Sequence, residues 1–309
     1  MIDVAVIKTF ELSGMLRKLF YVILFASQLL QHCYADNIDI KNIFVSILPQ
    51  KYFVKRIGGE YVNVSVMVGT GQNPATYEPS PKQMALLSKA KLYFRIGVPF
   101  EDIWIDVINE LNVNLKIIEC CTELRSIALE EHAHGNHNEE ESVDDPHVWT
   151  SPINAKYISL KIKKALIDIL PDQKVELENN YSKLIMDLSK LDQDIRLRLM
   201  YLDNRYIVVS HPSWGYYADA YNLIQLPIEL DGKDVHAKSL TKLIEFSRSK
   251  KINRVFVQKQ FNKNSAEILA KEIDAQVIEL DPLAEDYIAN LYHVTNAILN
   301  RKVGDEPHY

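Results

Sequence analysis

Pro171-Asp172-Gln173-Lys174-Val175-Glu176-Leu177 opens the stretch that decides the architecture. From Leu177 onward the apolar side chains return at Tyr181, Leu184, Leu188, Leu191, Ile195 and Leu199, always three or four residues apart. That spacing keeps them on one stripe of an α-helix. Pro171-Asp172 is a start signal, with Asp172 as the expected N-cap. At 1.5 Å per residue such a helix runs roughly 40 Å, longer than one small domain needs. It predicts a rigid strut, residues 171–203, between an N-terminal lobe (36–170) and a C-terminal lobe (204–309). The alternative is a long helix packed along one large domain.

On either side of this helix, short runs rich in Val, Ile and Tyr alternate with helical patterns. The expected strands are Ile43–Leu48, Val62–Val68, Leu92–Ile96, Val113–Ile118, Tyr206–Ser210, Val255–Val257 and Gln276–Leu280. Segments such as Lys82–Lys89, Ser239–Ser249 and Ser265–Ile273 read as amphipathic helices. The fold class is therefore α/β, with mostly parallel sheets in two Rossmann-like lobes. In open parallel sheets, ligands bind outside the carboxyl ends of the strands. His211 directly follows one expected strand and Asp281 another. With His147 supplied from the other side, three metal-capable groups would converge on a cleft between the lobes.

The first 35 residues have the order of a secretory signal peptide. Arg17 and Lys18 precede the apolar run Leu19–Ala26, which continues through Leu29-Leu30, and Cys33-Tyr34-Ala35 is an acceptable cleavage word. The run is short for a membrane span, and Met15 is a candidate start. Cys33 also admits lipid anchoring, but His32 stands where a small residue is expected, so cleavage after Ala35 is the preferred reading. The mature chain would then keep only Cys120 and Cys121, which offers no disulfide framework. The net charge of −6 gives no support for a nucleic-acid partner or an anionic membrane surface.

Residues 126–155 hold no Lys or Arg and read as a solvated loop. Within it His132, His134 and His137 stand among seven acidic residues between Glu130 and Asp145, a composition able to chelate zinc weakly or merely to solvate. His147, His211 and Asp281 each have a bland reading in isolation, as turn, helix-start or capping residues. Two imidazoles and one carboxylate together suit a borderline divalent cation such as zinc. His236 and His293 have no comparable setting and read as structural or exposed.

Five stretches then carry a resemblance. They are Asn73 to Pro81, Asp145 to Pro152, Ser210-His211 with Gly215 to Ala218, Val255 to Phe261, and Leu280-Asp281-Pro282-Leu283. In that order, over about residues 40–300, the chain resembles the zinc/manganese group of ABC-transporter solute-binding proteins. The resemblance implies two α/β lobes joined by one long helix, with the metal site in the cleft between them. It also implies His147, His211 and Asp281 as metal ligands and an ABC-transporter membrane permease as partner. The family's first ligand is usually a His after the Asn-Pro of the first stretch, and here Ala75 occupies that position. Water, a histidine of the 132–137 loop or Glu78 are the candidates to complete the set. His at 211 favours zinc over manganese, because manganese-type relatives tend to carry Glu there, while Mn2+ and Fe2+ stay open as cargo.

The expected function is thus that of a periplasmic, monomeric, non-enzymatic solute-binding protein that carries zinc to a permease. Neutral imidazoles would hold the ion, so affinity should collapse as they protonate. The long helix implies modest lobe movement on release. Two alternatives stand beside it. Three protein ligands plus a water is also the arrangement of a zinc hydrolase, although no His-Glu-x-x-His word is present and only Glu78 offers a general base. A metal-binding surface adhesin is the other.

Overall fold

The computed structural model describes residues 39–127, 144–230, 233–234 and 237–300. The signal-peptide reading at 1–35, including Cys33, the loop histidines 132, 134 and 137, and His236 lie outside the described residues. Residues from Lys41 onward form one compact unit.

Two parallel sheets organise it. The first holds β1 (Lys41–Ile47), β2 (Val62–Val68), β3 (Leu92–Arg95) and β4 (Lys116–Glu119) in the order β2-β1-β3-β4. Its helices are α1 (Leu48–Gly58), α2 (Pro81–Leu87), α3 (Pro99–Leu111) and α4 (Pro152–Ile169). The long helix α5 spans Lys174–Leu199. The second sheet holds β5 (Tyr206–Val209), β6 (Ile224–Pro227), β9 (Arg254–Val257) and β10 (Gln276–Glu279) in the order β10-β9-β5-β6. Around it stand α6 (Gly215–Tyr221), α7 (Ala237–Ser249), α8 (Asn264–Glu272) and α9 (Tyr287–Leu299), with a small β7–β8 hairpin, Glu229–Leu230 and Lys233–Asp234. Numbered within each lobe, both sheets have the order 2-1-3-4, with all neighbours in the two sheets parallel. Each therefore has a point where the strand order reverses, and there the strand ends open a crevice.

The apolar alternation of the strands explains their burial. On β5, Ile207 and Val209 enter the large core, while Val208 enters a smaller one with Val255, Val257 and Leu269. Along α5 the expected stripe is buried at Leu177, Leu184, Leu188, Leu191, Ile195 and Leu199. Tyr181 is half-buried, and the Lys163 ammonium lies 4.5 Å from its ring centre. This stripe joins one core that includes Ile43, Phe94, Trp149, Trp214 and Leu291. The helix is therefore not a bare strut, because it packs against α1 and α4 on one side and α9 on the other.

Some local expectations are corrected. Asp172 does not cap the helix. Pro171–Gln173 forms a 3-10 turn, and α5 begins after it with Gln173 at the N-cap and no side-chain cap bond. Val113 is 85% exposed and precedes the strand, since the Asn112 side chain accepts from Asn114 N and so holds residues 112–114 in a turn. The described part of the expected solvated loop is mostly not solvated. Asp145, Trp149 and Thr150 are buried, and α4 begins at Pro152. Finally, β6 has no clear strand pattern because it contains Pro227, which is tolerated on this edge strand.

Candidate metal centre

His147 sits between Asp145-Pro146 and a single 3-10 turn, Val148–Thr150. Asp145 is buried, and its Oδ1 lies 2.8 Å from the His147 amide nitrogen and 2.7 Å from His147 Nδ1. An ionised carboxylate only accepts, so Nδ1 carries the hydrogen and Nε2 keeps the lone pair. The Asp145 carboxylate lies against the bare Cα of Gly215. A Cβ at that position would collide with Asp145 Oδ2.

His211 leaves the end of β5 and is built the same way. Its Nδ1 lies 2.8 Å from Oε1 of the buried Glu229, again leaving Nε2 as the ring nitrogen with a free lone pair. The imidazole stacks on Phe261 with ring centres 3.8 Å apart. Burial pushes its pKa below the usual histidine value, against the hydrogen bond it donates to Glu229, which pulls it up. The neutral form, the one that coordinates a metal, is thereby favoured. The His147 and His211 rings stand 5.4 Å apart, edge to face.

Asp281 follows β10. Its Oδ1 accepts from Leu283 N at 2.9 Å and from Gln260 Nε2 at 3.1 Å, and its backbone carbonyl accepts from Asn290 Nδ2 at 2.8 Å. The structure thus brings His147 and His211 together, while Asp281 is tied to Gln260 and Leu283. Among the described residues no group of three His, Cys, Asp or Glu is gathered as a ready ion-holding set.

A cleft of about 660 Å³ runs past the two imidazoles, lined by them, Trp149, Gln258, Gln260 and Phe261 on one side; Asp281 is not in this lining, although the next two residues, Pro282 and Leu283, are. The opposite wall is Pro74, Ala75, Thr76, Val98 and Pro99, at the carboxyl ends of β2 and β3. Ala75 therefore faces the cleft and brings no donor side chain. Glu78 is exposed and lies outside this lining, while His293 is exposed on α9. The expectation that His147 comes from the far side needs correction. Its segment is fastened to the second lobe, because Trp149 Nε1 donates to Pro282 O at 2.8 Å and Tyr287 Oη donates to Trp149 O at 2.8 Å. Both imidazoles thus stand on one wall of the cleft.

Sequence reasoning singled out His147 and His211 without their carboxylate partners. Asp145 was within reach, as it stands two residues before His147 in the same word. Glu229 gives no local signal, since the fold alone brings it to His211 across 18 residues.

The comparisons with known proteins bear on the chain and its fold as a whole. The family described as "ZnuA: Zinc-uptake complex component A periplasmic" matches residues 43–301. A putative metal-binding protein of Chlamydia trachomatis serovar D is 29% identical over 276 residues, which cover 86% of this chain and 94% of that protein. The zinc-binding lipoprotein AdcA of Streptococcus pneumoniae R6 is 28% identical over 252 residues, 78% of this chain, which spans about half (50%) of that longer relative. A crystal structure of ZnuA is 38% identical, with a TM-score of 0.79 over 85% of this chain and 99% of its own. A match that begins within β1 and ends beyond α9, over the same fold, makes this chain a member of the periplasmic zinc-uptake component A family.

Proposed function

We propose that the chain is the extracytoplasmic solute-binding component of a metal ABC transporter, taking up a divalent transition metal, zinc by preference, and passing it to a membrane permease. The single observation that carries the reading is the pair of imidazoles at the cleft. Each has Nδ1 held by a buried carboxylate and each keeps Nε2 for an ion. Capture then needs the Asp281 carboxylate to join them, either through Oδ2 or after leaving its bond to Gln260. In this reading His147, His211 and Asp281 are the protein's ligands, and water or a loop histidine (132, 134 or 137) completes the set. Glu78 is the remaining candidate and, like Asp281, lies outside the cleft lining. Imidazole nitrogen and carboxylate oxygen suit zinc, with Mn2+ and Fe2+ as poorer cargo.

Residues 1–35 act as an export signal, 36–170 and 204–309 as the two lobes, and 171–203 as the helix between them. The protein works as a monomer, without catalytic turnover. Among the described residues no helix is long and apolar enough to cross a membrane. The zinc-uptake family and the zinc-binding relative AdcA support zinc as the cargo. The test is a calorimetric zinc titration of chelator-stripped protein, of His211→Ala, and of a form lacking residues 131–141. One tight site that survives loop deletion and is lost in His211→Ala is expected. Unchanged tight binding in His211→Ala would refute the site, and chelator-sensitive ester or peptide hydrolysis would favour the hydrolase reading.

A further inference from the structure

Helix α3 presents a face that its own fold does not cover. Phe100, Glu101 and Ile108 are turned into the protein. On the outer side Ile103, Val107 and Leu111 are 69%, 46% and 41% exposed, each one turn from the next. Three apolar side chains at i, i+4 and i+8 form a continuous row about 12 Å long. Single exposed apolar residues are ordinary; what sets this face apart is that three of them form one row continuous with the cleft mouth. Beside it, on the same turns, run Asp106 and Glu110, both exposed. Neither has an ion-pair partner among the described residues. The row starts where α3 leaves the cleft, since Pro99 and Asp102 at its first turn line the cavity that holds His147 and His211.

The charge pattern selects the occupant. An anionic bilayer surface would be repelled by the acidic row. A second copy docking through the same face would bring like charges together. A protein with an apolar ridge flanked by Lys or Arg satisfies both rows at once. We propose that the outer face of α3 is the surface by which the first lobe seats on the membrane permease, against an apolar ridge of the permease flanked by Lys or Arg, with the cleft mouth held over the translocation path. This rests on the transport reading above and adds where the docking occurs. Steering by the acidic row would speed encounter, and the apolar row would hold the docked complex.

The test uses the full mature protein and the permease of the same uptake system in nanodiscs of neutral lipid. Two variants are compared, Asp106→Lys/Glu110→Lys and Ile103→Ser/Val107→Ser, each titrated with zinc by calorimetry and then bound to the discs. Both should keep zinc affinity within twofold. Each should lose at least tenfold in permease binding, and wild-type binding should weaken steeply with salt while the charge variant loses that dependence. Normal docking by both variants with intact zinc binding would overturn the proposal and leave the transport reading standing. Wild-type protein that binds neither zinc nor permease would overturn the transport reading, and the proposal with it. Equal binding to empty anionic discs would assign the face to lipid. Self-association lost in the variants would assign it to a second copy. Either result would overturn the proposal.

Discussion

Replacing Gly215 by Ala tests the centre without touching a ligand. On helix propensity alone the change is favourable, since Ala is better than Gly in a helix by about 1 kcal/mol. Here the new methyl would strike the Asp145 carboxylate. Asp145 is 3% exposed and cannot turn to water, and its Oδ1 holds both the backbone nitrogen and Nδ1 of His147. Displacing it loosens the ring and frees its tautomer. Loss of such a carboxylate partner typically costs about 10–100-fold in metal affinity, or about 1.4–2.7 kcal/mol. The assay is zinc titration against a competing chelator, run on Gly215→Ala, Asp145→Ala and the double variant. Both single variants should weaken zinc by a similar factor, and the double variant should be no weaker than Asp145→Ala, because both changes break one contact. Zinc affinity within twofold of wild type in Gly215→Ala, or losses that add in the double variant, would refute the claim that Asp145 orients His147.

Other expectations follow from the same geometry. Glu229→Ala should weaken zinc about 10–100-fold at neutral pH. Because Glu229 raises the His211 pKa against burial more than Asp145 does, its removal should also move the acid edge of binding to lower pH, readable in titrations from pH 8 to 5. The metal-free wild type should lose stability as pH falls below about 6.5, because the unfolded chain takes up a proton that the buried His211 refuses. Urea melts across that range would show it, and a flat profile would contradict the burial argument. Leu188→Ala, at a fully buried position of α5, should cost about 2–5 kcal/mol. Burial pushes the Cys121 thiol up to about 11 and also raises that of the fully buried Cys120 well above the ordinary thiol value. Fewer than about one Cys121 in a thousand is then thiolate at pH 8, so aromatic disulfide reagents should label the protein only after denaturation.

Legibility differed from one part of the chain to another for physical reasons. Val62–Val68 is a strand in the pattern and in the structure, and β1, β3, β5, β9 and β10 shift only at their ends, because a buried parallel strand is simply an apolar run between turns. The stripe on α5 was equally plain, since one side of a helix must bury what it repeats. The edge strand β6 was hidden by its Pro227. Sequence could place His211 and Asp281 at strand ends, but it could not show that Trp149 fastens the His147 segment to Pro282 on the same wall. It also could not show that Asp281 is held by Gln260, because side-chain partners brought together by the fold leave no spacing to read.

The core that α5 shares with both sheets has a mechanical consequence. Ile43 and Phe94 of the first sheet, and Ile207 and Val209 of the second, belong to one apolar cluster sealed by the same helix stripe. Pulled from its ends in an optical trap, the protein should not give way as two beads on a string. Extracting either sheet strips the buried side of α5 and exposes the surface on which the other sheet rests, so the force–extension trace should show one principal rupture. A chain cut between α5 and β5 should yield two fragments that regain a folded signal only when mixed.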